Sequence, residues 1–214
     1  MKILRGGITS AKGFIASGVS CGIKKDSKLD LALIFSEKVS AAAGLFTTNR
    51  FIAPPLILTK KNLRKGTGQA VIVNSGNANA ATGCRGYEDA LEMGALTAKE
   101  LGIDSSLVSV ASTGVIGELL PMEKIRSGIP LVVNGLKKNG GKDAARAITT
   151  TDIFFKEAAV RGMVGGKEVT VGGIAKGSGM IHPNMATMLA FIATDATIGG
   201  GLLKKSLRKA SDLS

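Results

Sequence analysis

Short apolar runs alternating with longer helical patterns constrain this chain more than any other feature. Residues 69–73 (QAVIV) and 107–111 (LVSVA) read as strands, and between them lies GYEDALEMGALTAKELG at 86–102. In that segment Leu91, Ala95 and Leu101 recur at helical spacing, and Gly102 stands where the helix should stop. Further strands are expected at 29–35 (LDLALIF) and 39–46 (VSAAAGLF), parted by the polar turn Ser36-Glu37-Lys38. Pro54-Pro55 breaks the chain before LILT, Pro121 opens a helix over PMEKIRSGI, and another helix is expected over 142–148. Residues 154–175 read as two strands joined around Gly165-Gly166, and 188–194 (MLAFIAT) as one more. Strands of which some are adjacent and some separated by helices give an α/β or α+β fold with layered sheets.

The final expected helix, 201–212, is basic and amphipathic, with Leu202, Leu203, Leu207 and Leu213 on one side. It needs something to pack against, and nothing follows it. The chain therefore reads as part of a larger polypeptide.

Composition removes several function classes. With 214 residues, 44% hydrophobic and 21% charged, the chain can bury a substantial core and is not disordered. The net charge of +12 raises a nucleic-acid or membrane reading. The basic residues, however, come in scattered pairs such as Lys24-Lys25, Lys60-Lys61 and Lys137-Lys138, with no basic arm. Aromatics are only 4%, with no Trp, which argues against a platform that stacks bases. Cys21 and Cys84 lie far apart, so two reduced, mostly buried thiols are expected in place of a disulfide or a zinc site. The N-terminus, MKILRGGITSAKGF, lacks a signal peptide's apolar stretch, and no run approaches a membrane span. The expectation is a cytoplasmic protein that binds neither nucleic acid nor membrane.

Most catalytic sets are missing too. His182 is the one histidine, and no ligands cluster for a metal. No dinucleotide fingerprint is present, and GGIAKGSG lacks the spacing of a phosphate-binding loop. Hydroxyl nucleophiles remain. In KGSGMIHPNMATMLAF (176–191), Thr187 stands where a loop turns into an apolar strand. A Thr hydroxyl needs a base, and one source is its own α-amine, freed by a cut in front of it. That amine titrates near pH 8, so a useful fraction is neutral around neutral pH. Ala186 offers little hindrance at the carbonyl to be attacked, and a Pro183-Asn184 turn could hold the bond in a reactive geometry. Acyl transfer also needs donors for a developing oxyanion. Thr113 and Gly114, in STGVIG after an expected buried strand, are the candidates. Lys176 could lower the pKa of a nearby amine or bind a carboxylate, although taken alone it reads as a surface lysine.

KGSGMIHPNMATMLAFIATDA, with NSGNANAATG, ASTGVIGELLPMEKI, TTTDIFFKEA and GGITSAKGFIASGVSCGIK, resembles the ornithine acetyltransferase (glutamate N-acetyltransferase) family of arginine biosynthesis. The likeness runs in order from Gly7 to Ala196, and the long motif around Thr187 is its most specific part. It implies an αββα-type sandwich, N-terminal-nucleophile-like but of its own topology. It implies self-cleavage between Ala186 and Thr187, dividing the chain into an α region, 1–186, and the start of a β region, 187–214. Thr187 is then the nucleophile, and Thr113 and Gly114 stabilise the oxyanion. Thr150 or Thr151, with Lys176 and Thr187, contact the amino-acid substrate. The implied reaction is ping-pong: N2-acetylornithine acylates the threonine, ornithine leaves, and glutamate takes the acetyl group. No cofactor is implied, although some members use acetyl-CoA as a donor. The implied assembly is a heterotetramer of two α and two β chains, and further pocket residues come from the β portion beyond residue 214. Two alternatives stay open: a related N-terminal-nucleophile amidohydrolase or aminopeptidase, and an inert truncated fragment.

Overall fold

Two four-stranded sheets lie face to face. In the computed structural model, residues 1–180 and 187–214 are described. The second sheet contains β1 (Lys2–Leu4), and the first opens with β2 (Phe14–Val19) and β3 (Leu31–Ala41). After α1 (Pro54–Asn62) come β4 (Thr67–Asn77), α2 (Gly83–Leu101) and β5 (Val108–Val115). The first sheet has the order β2-β3-β4-β5. Among the described residues only β4 and β5 pair in parallel, the crossover that such a pair requires being built around α2.

The chain then runs through α3 (Met122–Asn134), α4 (Gly141–Ala147), β6 (Lys156–Val164), β7 (Lys167–Lys176), β8 (Leu189–Thr194) and α5 (Gly200–Asp212). The second sheet is antiparallel throughout, in the order β1-β6-β7-β8.

Strand alternation gives the first sheet two different faces. Leu31 and Leu33 of β3, Ile72 of β4 and Val110 of β5 join Met93 of α2 and Ile125 and Ile129 of α3 in one cluster. The residues between them, Ala32, Ile34, Val73 and Ala111, join Ile174 and Ala193 of the second sheet in another. α4 belongs to this second cluster through Ala144, Ala145 and Ala147, all fully buried. The protein is thus an α/β layered sandwich. Of the expected αββα order, the described residues supply helices, sheet and sheet. The outer face of the second sheet leaves Ile3 and Ile192 exposed, and α5 buries none of its residues.

Several expectations change. The strand expected at 29–35 and only the first residues of the one expected at 39–46 form a single strand, β3, whose register shifts between Phe35 and Ser40, and residues 42–46 belong to no helix or strand. Ser36, Glu37 and Lys38 pass through that irregularity, where Ser36 and Ser40 share a hydrogen bond of 2.8 Å. LILT lies inside α1, because Pro54 and Pro55 fill first-turn positions whose N–H groups need no helical partner. On α2 the core face is Ala90, Met93, Gly94, Thr97 and Ala98, while Leu91 is 40% exposed. Its C-terminus is as expected: Gly102, at φ +66°, returns its N–H to Ala98 and Lys99. NSGNANAATG looked too polar for a core, yet Asn74, Ser75 and Asn79 are fully buried. Each is hydrogen-bonded: Asn74 Nδ2 to Asn77 O, Ser75 Oγ to Ala147 O, and Asn79 Nδ2 to Gly86 O. Of the thiols, Cys84 is exposed and Cys21 half-buried. Burial, aided by Asp30, pushes the Cys21 thiol up to about 12.

Candidate active site

β5 carries Thr113 into the space between the sheets, and β7 ends there with Lys176. Lys176, far from being a surface residue, is 4% exposed, and its Nζ donates to Thr113 Oγ1 at 3.0 Å. An ammonium can only donate, so the Thr113 oxygen accepts and its own proton remains free for another acceptor. Burial lowers the Lys176 pKa, the nearby Asp152 carboxylate opposes that, and Lys156 adds to it.

Gly114 follows at φ +136°, opposite Gly76 (φ +123°) in the parallel ladder. A Cβ on Gly114 would lie 2.2 Å from the Gly76 carbonyl carbon. Glycine is therefore required on both counts, conformation and space. It sets a main-chain N–H next to a buried hydroxyl whose proton is available.

β8 reaches the same sheet end. Leu189 pairs with Lys176, so Thr187 lies two residues ahead of the strand that flanks the lysine. Thr187 is partly buried, and its Oγ1 donates to Met180 O. Ala186, His182 and the Pro183-Asn184 turn lie outside the described residues. The α and β regions expected from sequence thus share one sheet, joined by the β7–β8 ladder.

The threonine triplet follows α4. Thr149 Oγ1 donates to Arg146 O at 2.7 Å, and the hydroxyls of Thr151 and Ser178 are 2.8 Å apart. Thr150 is the member whose hydroxyl is uncommitted among the described residues, and only its N–H is engaged, by Asp152 Oδ2 at 3.4 Å. Thr149 and Thr150 line a cavity of about 320 Å³ with Lys24, Lys28, Leu29, Arg146 and Asp152. A second hollow, of about 290 Å³ and lined by Lys2, Arg161 and Glu168, contains none of the candidate residues.

Two charged residues beside the triplet were not singled out from the sequence, although Asp152 lies within TTTDIFF and Lys24 within CGIK. The Asp152 side chain is 1% exposed. It accepts from Gly177 N at 2.9 Å and from Lys156 Nζ. Burial alone would raise its pKa, but these hydrogen bonds outweigh it and hold the carboxyl at about 2. Lys24 Nζ donates to three main-chain carbonyls. Burial brings its pKa down to about 8; Asp30 opposes the shift and Lys176 reinforces it. Among the described residues no group of three His, Cys, Asp or Glu could hold a metal ion. No helix among them is long and apolar enough to cross a membrane.

The α/β double-sheet sandwich is shared with solved structures. An arginine biosynthesis bifunctional protein ArgJ from Bacillus halodurans superposes with TM-score 0.81 and 45% identity, over 86% of this chain and 97% of that one. An ornithine acetyltransferase from Mycobacterium tuberculosis, solved with ornithine, gives TM-score 0.80 and 41% identity over 86% and 99%. More distantly, an aminopeptidase from Ochrobactrum anthropi, described as a variant of the Ntn hydrolase fold, shares the fold at TM-score 0.60 and 13% identity. The sequence profile of the ArgJ family matches residues 15–214, and the chain belongs to that family. The arginine biosynthesis bifunctional protein ArgJ of Symbiobacterium thermophilum is 51% identical over 100% of this chain and 54% of its own length. The chain spans about half the length of the curated relatives it matches.

Proposed function

We propose that this chain is the nucleophile-bearing part of a glutamate N-acetyltransferase that moves the acetyl group of N2-acetylornithine to glutamate. The observation that carries the reading is the buried 3.0 Å contact from Lys176 to Thr113, at the sheet end where the strand after Thr187 begins. Family membership supports it.

In the proposed processing step the Thr187 oxygen attacks the Ala186 carbonyl, and the peptide C–N bond breaks as the amine takes up a proton. Water then hydrolyses the ester, leaving Thr187 with a free α-amine and Ala186 with a carboxylate. The lengths of two solved relatives support such a cut: 86% of this chain, about 184 residues, covers 97% and 99% of theirs. That is close to the 186 residues that precede Thr187.

In transfer, the freed amine takes the Thr187 hydroxyl proton while the oxygen attacks the acetyl carbonyl of acetylornithine. Thr113 Oγ–H and the Gly114 N–H stabilise the oxyanion. Collapse breaks the C–N bond, ornithine leaves with the proton, and acetyl-Thr187 remains. The amine of glutamate then attacks the ester, and Thr187 recovers its proton. Thr150, whose hydroxyl is uncommitted among the described residues, and Lys176 contact the amino-acid part of the substrate, with Thr151 hydrogen-bonded to Ser178. A buried ester protects the acetyl group from water. Acetyl-CoA is an alternative donor in this scheme, and the working assembly is two α and two β pieces.

The test uses the polypeptide at its relatives' full length. Thr187→Ala should give one uncut chain with acetyl transfer reduced at least about 10³-fold. Normal turnover in that variant would remove Thr187 as the nucleophile. Release of acetate with no acetylglutamate formed would turn the reading into a hydrolase.

A further inference from the structure

We propose that Lys24 and Asp152 are positioning residues that hold the Thr149–Thr151 segment from opposite sides and so fix Thr150 relative to Lys176. The proposal rests on Thr150 and Lys176 contacting substrate.

The carbonyl side belongs to Lys24. Its Nζ donates to Leu29 O at 2.8 Å, Thr149 O at 2.6 Å and Ala147 O at 3.4 Å. Three donors meet three main-chain acceptors, so the ammonium is used up by backbone. Ala147 is the last residue of α4, where carbonyls have no helical partner and a cation is favoured. Lys24 is itself held in place. Its N–H goes to Asp30 Oδ2 at 2.9 Å, and Asp30 Oδ1 takes the N–H of Cys21 at 2.7 Å, with Asp30 fully buried.

The N–H side belongs to Asp152. One oxygen accepts from Thr150 N and the other from Gly177 N, the residue after Lys176. The carboxylate thus ties the triplet to the strand end that carries the buried lysine, and Lys156 Nζ closes the loop by donating to Asp152 and to Gly177 O. Both charges line the cavity beside Thr150. Buried or half-buried charges are a poor source of stability compared with apolar packing. Fixing a segment to fractions of an ångström beside a reacting centre is what such hydrogen bonds do well.

Hydrogen exchange and kinetics on the full-length polypeptide test this with Lys24→Met, Asp152→Asn and Lys24→Arg. Without substrate, amides 149–152 and 177 should exchange at least about tenfold faster in Lys24→Met or Asp152→Asn, with β5 amides unchanged. Equal protection in both variants overturns the proposal. With substrate, KM for acetylornithine should rise about tenfold while kcat stays within about threefold, and Lys24→Arg should keep KM near the wild type. An unchanged KM in Lys24→Met and Asp152→Asn also overturns it. If the wild-type polypeptide transfers no acetyl group, the proposed function falls, while the exchange result still decides whether the two residues hold the segment.

Discussion

The two apolar clusters on either side of the first sheet are built from different materials. The helix-backed cluster is made of Leu, Ile, Met and Val, and three of its 15 members are alanines. Between the sheets, eight of 13 are alanines. Glycines extend that economy: a Cβ on Gly140 would meet Ala16 O at 1.8 Å, and one on Gly172 would meet Gly7 O at 2.1 Å. Bulk holds the first cluster together, whereas closeness holds the second. Close approach is what allows side chains from both sheets, Thr113 and Lys176, to touch without an apolar layer between them. The stabilising mass and the chemistry occupy opposite faces of the same sheet.

Substitutions of opposite size should separate the two. Ile125→Ala, fully buried on the helix side, should cost about 2–5 kcal/mol by chemical denaturation, through lost transfer energy plus a cavity. A cost near zero would mean that the helical layer collapses freely, and the contrast would fail. Gly172→Ala adds one methyl between the sheets and should cost about 1–3 kcal/mol through overlap with a carbonyl that cannot move cheaply. A neutral outcome would show the inter-sheet layer to be looser than its geometry. The smallest effect is electrostatic. The Asp152 carboxyl, held at about 2 in the fold, is depressed below its ordinary value of 3.8. Its contribution of at most about 2 kcal/mol is complete above pH 4 and disappears as pH falls through about 2. In Asp152→Asn the acid side of the stability curve should lose that component, readable by unfolding at pH 5 and pH 2.5.

Much of the frame was legible because local chemistry and tertiary structure agree. The Gly165-Gly166 hairpin, the Gly102 helix stop and β8 follow from turn residues and apolar runs. Thr113, Gly114 and Lys176 were named from sequence, and the fold brings the lysine and the hydroxyl into contact. What failed has a physical cause in each case. Leu91 drew the eye by hydropathy, but the tight packing of α2 selects small residues: a Cβ on Gly94 would already lie 3.2 Å from Val110. Asn74, Ser75 and Asn79 are polar by type and buried by partnership; Asn74 and Asn79 bond within a few residues, but Ser75 finds Ala147 72 positions on, and a partner that distant leaves no local mark. Lys24 and Asp152 escaped for the same reason, since their hydrogen bonds reach from residue 24 to 149 and from 152 to 177.

The pairing of β7 with β8 runs over six residue pairs, from Val171 with Thr194 to Lys176 with Leu189. A nick ahead of Thr187 would therefore remove a covalent link without removing a neighbour: the newly made chain start would stay zipped to the strand it came from. Such a protein could be severed at its own reactive centre and keep its shape, because the seam is sewn by the sheet and not by the bond that breaks.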